Sequence, residues 1–206
     1  NSKKDVFVLA CINSENTRQI IYELDPRTFD IVGTYKFRDA SVLAHMNTLT
    51  YNPDTNLLYT TNAMVDGHRI TTIDADTMSI GNTITIPERV FNLAYDKKTN
   101  QFMSIVPIDA TMRRINYYTS QFQLVQSKDI DANYDDYNNN GAFANDGKTI
   151  FATLSTVVTV DKTGNVTKIA SFPKNLEIED MDMRHNIMYA AVNMNHKVFI
   201  YSMLNY

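Results

Sequence analysis

Eight residues of this sequence carry groups able to grip or transform a polar ligand, and they fall in pairs at corresponding places along the chain: His45 and Asn47, Arg89 and Phe91, Asn138 and Asn140, Glu177 and Glu179. Imidazole, amide, guanidinium and carboxylate groups converging on one mouth would orient a sugar, a phosphate-bearing polymer or a metal ion, and two carboxylates can share acid and base work. On that second footing Glu177 or Glu179, with His45 and Arg89, would form a hydrolase or lyase centre. The plainer reading is a polar cap that solvates the mouth.

Asp129, Asp131, Asn133 and Asp135 place oxygen ligands at alternate positions, as the start of a calcium loop does. Tyr134 then stands where the sharp turn requires Gly, and Asn140 where a bidentate Glu belongs, which excludes an EF-hand. An irregular Ca2+ site and a solvated acidic loop are the two readings left.

Other motifs carry less. His45, His68, His185 and His196 lack the i, i+4 spacing of a helical zinc site. Cys11 is the sole cysteine, so neither an internal disulfide nor a thiolate metal site can form, and its apolar surroundings mark it as a small buried residue. No Gly-x-Ser-x-Gly elbow occurs. The stretch from Gly141 to Lys148 has one residue too many for a phosphate loop and reads as a hairpin turning at Asp146-Gly147. Asn165-Val166-Thr167 is a glycosylation sequon, relevant only in a eukaryotic secretory route. Tyr117, Tyr118, Tyr134 and Tyr137, with nearby Asn, offer the rigid faces and amide donors that suit carbohydrate, though loop Tyr is also ordinary.

These groups need a frame, and an internal repeat supplies it. With Ile20, Ile70, Ile115, Val157 and Val198 as anchors of five similar apolar segments, the separations are 50, 45, 42 and 41 residues. A strand precedes each anchor, at 6–12, 57–61, 101–105, 149–153 and 187–191. More polar outer strands follow four of them, at 31–37, 80–86, 123–130 and 166–172. Inner strands open four units at 45–51, 90–95, 141–144 and 178–183. Turn residues fall between: Asn52 to Asn56, Asp96 to Asn100, Asn145 to Lys148 and Arg184 to Asn186 after the inner strand, and Asp25 to Thr28, Asp74 to Thr77 and Asp161 to Gly164 before the outer one.

Each unit is therefore a four-stranded antiparallel meander. It has two apolar faces and cannot bury both alone, so radial stacking into an all-β propeller of about five blades is expected. The chain is read as one domain, 1–206, with blades near 5–38, 44–87, 89–131, 137–173 and 177–206. These eight residues would then ring one mouth of the central channel. The first blade lacks an inner strand and the last an outer one, which the expected ring would resolve by sharing a seam or by strands from outside the chain. The competing fold is a β-sandwich. Asn1 to Asp5 contain neither an initiator Met nor an apolar targeting core, so a processed chain or a fragment is expected.

A net charge of −4, with no basic cluster beyond Lys3-Lys4, excludes the electrostatic footprint of a nucleic-acid binder. The longest apolar runs are strand-length, so no membrane-spanning helix is expected.

Tyr51-Asn52-Pro53-Asp54-Thr55-Asn56-Leu57-Leu58-Tyr59, repeated as Tyr95-Asp96-Lys97-Lys98-Thr99-Asn100-Gln101-Phe102, resembles the blades of YVTN/NHL-type proteins. The longer form from His45 to Asn52, low in Gly and rich in Asn, Asp, Tyr and Met, resembles propeller modules of tail and receptor-binding proteins in phages of Gram-positive bacteria, and also helveticin-like bacteriocins. The resemblance implies a non-enzymatic module that recognises a cell-surface polysaccharide or teichoic acid, on a virion or cell surface or otherwise extracellular, within an assembly of other chains. A propeller hydrolase or lyase and a protein-interaction scaffold are the other functions considered.

Overall fold

A computed structural model describes residues 1, 3–13, 18–37, 40–43, 45–62, 67–131, 141–145, 148–152, 155–161, 163–173, 176–185, 187–195 and 197–204. The strands are β1 (Phe7–Ile12), β2 (Gln19–Leu24), β3 (Ile31–Phe37), β4 (Leu49–Asn52), β5 (Leu57–Thr61), β6 (Arg69–Asp74), β7 (Ile80–Thr85), β8 (Ala94–Asp96), β9 (Gln101–Pro107), β10 (Met112–Thr119), β11 (Leu124–Asp131), β12 (Gly141–Asn145), β13 (Lys148–Ala152), β14 (Thr156–Val160), β15 (Val166–Ser171), β16 (Glu177–Arg184), β17 (Ile187–Met194) and β18 (Lys197–Leu204). A single helical turn, α1 (Ala40–Leu43), joins β3 to β4.

The strands form five antiparallel sheets in chain order: β1-β2-β3, β4 to β7, β8 to β11, β12 to β15 and β16-β17-β18. This is the all-β, propeller-blade architecture that the repeat predicts, with three strands in the first and last sheets. Two compact units contain them, Asn1–Val90 and Phe91–Tyr206. In the first unit the core gathers Ile21, Leu43, Leu58 and Ile73, all fully or nearly fully buried, with Met46 and Met78 beside them. In the second, Met103, Ile105, Ile115 and Val158 make one core, and Val157, Ile178, Met188 and Val192 another. The outer strands β3 and β7 hold only exposed and half-buried positions, as strands at the margin of a sheet do.

Each turn is built the same way. The first-to-second-strand turns end in a residue in the left-handed region, Asn56 (φ 58°) and Asn100 (φ 54°). Tyr51 and Tyr95 each donate their hydroxyl to that Asn side chain, at 2.9 and 3.0 Å. The third-to-fourth-strand turns open with a residue whose side chain accepts from the backbone N–H groups ahead of it: Asp25, Asp74 and Asp161, with Thr119 taking that part in the third sheet. Those amide bonds hold the Asp25 and Asp74 carboxyls below the ordinary carboxylate range; at Asp161 the Thr163 hydroxyl leads the same effect.

The left-handed residue of these second turns is Phe29, Met78, Phe122 or Gly164. For an apolar side chain this backbone costs roughly 1–2 kcal/mol, so burial must offset it. Phe122 is 5 % exposed and stacks on Phe102 at 4.4 Å, whereas Phe29 is 37 % exposed and stacks on Phe7 at 5.9 Å.

The inner strands of two sheets differ from expectation. β4 begins at Leu49 rather than 45, and β8 at Ala94 rather than 90. Met46, Val90 and Leu93 are buried as their apolar character predicts, yet they lie in irregular lead-in segments rather than in the ladder. Met46 has φ 43°, which breaks strand geometry just before β4.

Phe122→Ala is expected to cost about 3 kcal/mol in urea unfolding, since a buried ring is lost while the Cβ that strains the left-handed backbone stays. Phe29→Ala, at an exposed turn, is expected to cost about 1 kcal/mol. Equal losses at the two positions would show that ring burial does not set the difference.

Candidate functional site

In the first unit, the register of β4 to β7 brings Leu49, Thr60, Thr61, Ile70, Arg69 and Thr85 to one end of that sheet. The turns at 52–56 and 74–79 lie at the other end. The lead-in to β4 is fastened to the first end: the Asn47 amide donates to the Thr61 carbonyl at 3.2 Å, and the Met46 amide to the Leu43 carbonyl at 3.1 Å. His45 and Asn47 are half-buried there, and Thr48 beside them is buried.

The segment after β7 returns to the same end. The Ile86 amide donates to the His68 carbonyl at 2.9 Å and the Val90 amide to the Gly67 carbonyl at 2.6 Å. Arg89 lies between these two anchors, and its side chain is laid directly over Gly67. A Cβ at Gly67 would stand 2.7 Å from Arg89 Cγ and 2.9 Å from Nε, closer than real contacts permit, so the glycine is what admits the guanidinium stem. His45, Asn47 and Arg89 thus share one sheet end, with His68 and Arg69 as further basic residues that the sequence pattern did not group with them. An amide, imidazoles and guanidinium groups at one edge can donate to hydroxyls and to anionic oxygens.

In the second unit, Phe91 is half-buried in the lead-in to β8. Its neighbour Asn92 is fully buried, and the Ile105 amide donates to its Oδ1 at 2.8 Å. Asn92 therefore replaces a ladder bond and ties the lead-in to β9, a structural role that residue type alone did not disclose. Asn138 and Asn140 lie outside the described residues, as do Asn133 and Asp135.

Asp129 and Asp131 sit within β11 rather than in a loop. Arg114, directly across the ladder, donates to both Asp129 oxygens, Nε at 2.6 Å and Nη2 at 2.9 Å. Arg114 is thus the partner of both Asp129 oxygens, in a bidentate pair across the ladder. Among the described residues no group of three or more His, Cys, Asp or Glu is placed to hold a metal ion.

Glu177 and Glu179 come from β16, where a bulge sets their geometry. Glu177 pairs with Asn193 and Ile178 with Val192, but Asp180 pairs with Ala191, leaving Glu179 as the extra residue. Asn193 Nδ2 donates to Glu179 Oε1 at 3.2 Å. Burial pushes the Glu179 carboxyl above its ordinary value, the Glu177 charge adds to this, and the Asn193 hydrogen bond partly opposes it. A carboxyl with a raised pKa beside a second carboxylate has the form of an acid–base pair.

No family model matches this sequence, and no curated protein does. Solved structures do resemble the fold. A protein of unknown function from Bacteroides caccae superposes with a TM-score of 0.52 at 9% identity, covering 97% of this chain and 73% of that one. Kuenenia stuttgartiensis hydrazine synthase superposes with a TM-score of 0.52 at 12% identity, covering 93% and 75%. At such identities the likeness is one of fold alone.

Because folding raises the Glu179 pKa, the stability it contributes is full below the unfolded value near 4.3 and is lost as pH rises through the folded value. Glu179→Gln is therefore expected to raise Tm at pH 7 to 8 and to leave it nearly unchanged at pH 4. A Tm gain as large at pH 4 as at pH 8 would remove burial of the charge as its cause.

Proposed function

We propose that this chain is a non-enzymatic binding module for a glycopolymer of a cell surface, a polysaccharide or teichoic acid, and that the lead-in end of sheet β4 to β7 makes the contact. The observation that carries this is Arg89, laid over Gly67 between two backbone anchors at the sheet end that also holds His45 and Asn47. The stem of Arg89 rests over Gly67 while the residue stays exposed, and an exposed guanidinium can grip a phosphate or carboxylate bidentately, with the amide and imidazoles of the same sheet end suited to sugar hydroxyls. The expected setting is extracellular, on a cell surface or virion, among other chains of an assembly.

Binding is to be read on a teichoic-acid and glycan array with the full chain. Arg89→Ala is expected to weaken a saturable signal at least tenfold, in keeping with the roughly 1.5–3 kcal/mol of a charge-assisted hydrogen bond. Replacing both Glu177 and Glu179 by Gln should leave it unchanged. No saturable binding on the array overturns the proposal.

The raised carboxyl of Glu179 favours one second reading, a hydrolase or lyase with Glu179 as general acid and Glu177 as its partner. On that reading the double Gln variant abolishes turnover of a cleavable glycopolymer. Turnover that survives both substitutions eliminates it.

A further inference from the structure

The last sheet is rich in thioethers. Of the ten methionines in the chain, Met181, Met183, Met188, Met194 and Met203 fall on β16, β17 and β18. The ladder sets three of them in one row, because Met183 pairs with Met188 and Met188 with Met203. Residues directly across a ladder point to the same face, with Cβ atoms roughly 4.5–5.5 Å apart. Met181 stands two residues before Met183, past the bulge, and so joins that face. Met181 and Met188 are 7 and 1 % exposed and lie in one core, with Met183 and Met203 packed half-buried against it.

This row starts at the second pair from the hairpin turn. In the three four-stranded sheets the same row reads Tyr51, Leu58 and Ile73; Tyr95, Phe102 and Tyr118; and Ala144, Thr149 and Val160. None of those carries a methionine. Filling space does not require one, since Leu and Met exchange in cores for less than about 1.5 kcal/mol. What methionine adds is a polarizable sulfur on an unbranched stem with three rotatable bonds, so neighbouring sulfurs can turn toward one point. Thioethers are soft ligands of the kind that select Cu(I), whereas carboxylates, carbonyls and water suit Mg2+ and Ca2+. Ile169, Ala170 and Phe172, which pack on this core from the end of the preceding sheet, are apolar and offer no side-chain oxygen. Met183 and Met203 are only half-buried, which leaves an approach from solvent and keeps a single positive charge from being sealed in.

We propose that Met183, Met188 and Met203, with Met181 beside them, form a thioether site for one soft monovalent cation, Cu(I). Met188 is the fixed floor of the site, buried at the centre of the row. Met183 and Met203 close on the ion from the two flanking strands. The site is separate from His45, Asn47 and Arg89 and does not depend on the glycopolymer reading.

The test uses the full chain with Cys11→Ala, which removes the one thiol able to take the same ion. Its methionine methyl groups are labelled with carbon-13 and followed by nuclear magnetic resonance during titration with silver nitrate in chloride-free buffer, silver(I) being soft, monovalent and redox-inert. Saturation at one ion per chain is expected, with shifts at Met181, Met183, Met188 and Met203 and none at Met46, Met78 or Met103, which lie in other cores. Cu(I) added under argon should move the same resonances, and Ca2+ should move none. Met183→Leu and Met203→Leu should each weaken silver binding at least tenfold while shifting Tm by no more than a few degrees. Four outcomes overturn the proposal: no saturable shift, shifts spread over all the methionines, a response to silver but not to Cu(I), or undiminished affinity in both Leu variants. The titration of the chain with all its methionines decides the matter even if a Leu variant fails to fold.

Discussion

The structure depends on one recurring constraint, a residue held at positive φ where a hairpin closes. Asn56 and Asn100 close the first turns of their sheets, and Phe29, Met78, Phe122 and Gly164 the second. A strand shifted by one residue turns every side chain to the opposite face, so a turn of fixed length decides which residues are buried. The Tyr51 to Asn56 and Tyr95 to Asn100 hydrogen bonds and the Asp25, Asp74 and Asp161 side chains tie each turn closed. Ile21, Ile73, Ile115 and Val158 reach the core because this register is kept.

In sheet β4 to β7, these stiff turns and the candidate ligand-binding residues lie at opposite ends. The turn end uses side-chain acceptors for its own backbone amides and has little left over for a ligand. The opposite end is made of lead-in segments held by backbone bonds such as Asn47 to Thr61 and Val90 to Gly67, and it carries the polar residues His45, Asn47 and Arg89. Rigid support at one end and variable chemistry at the other is how a repeat scaffold hosts a binding site.

The second unit shows how a local irregularity creates chemistry. Glu179 is the extra residue of the bulge between Ile178 and Asp180, Asn193 donates to it, and burial raises its pKa. At Asp129 the opposite happened: a carboxylate suited to a cation is matched across the ladder by Arg114 and spent on the sheet surface.

The repeat, its strand series and its turns were legible in the sequence, because alternation, Asn/Asp turn chemistry and spacing near 45 residues are local properties of the chain. What the sequence did not disclose was decided by neighbours distant along the chain. Met46 and Val90 look like strand residues but are buried outside a ladder, since their amides donate to the carbonyls of Leu43 in α1 and of Gly67 just before β6. Asn92 reads as a polar surface residue until Ile105 closes on it, and Gly67 as a turn residue until Arg89 lies across it. Residue types and periods are written into the chain, whereas a bulge, a cross-strand partner or a close approach exists only once two separated segments meet.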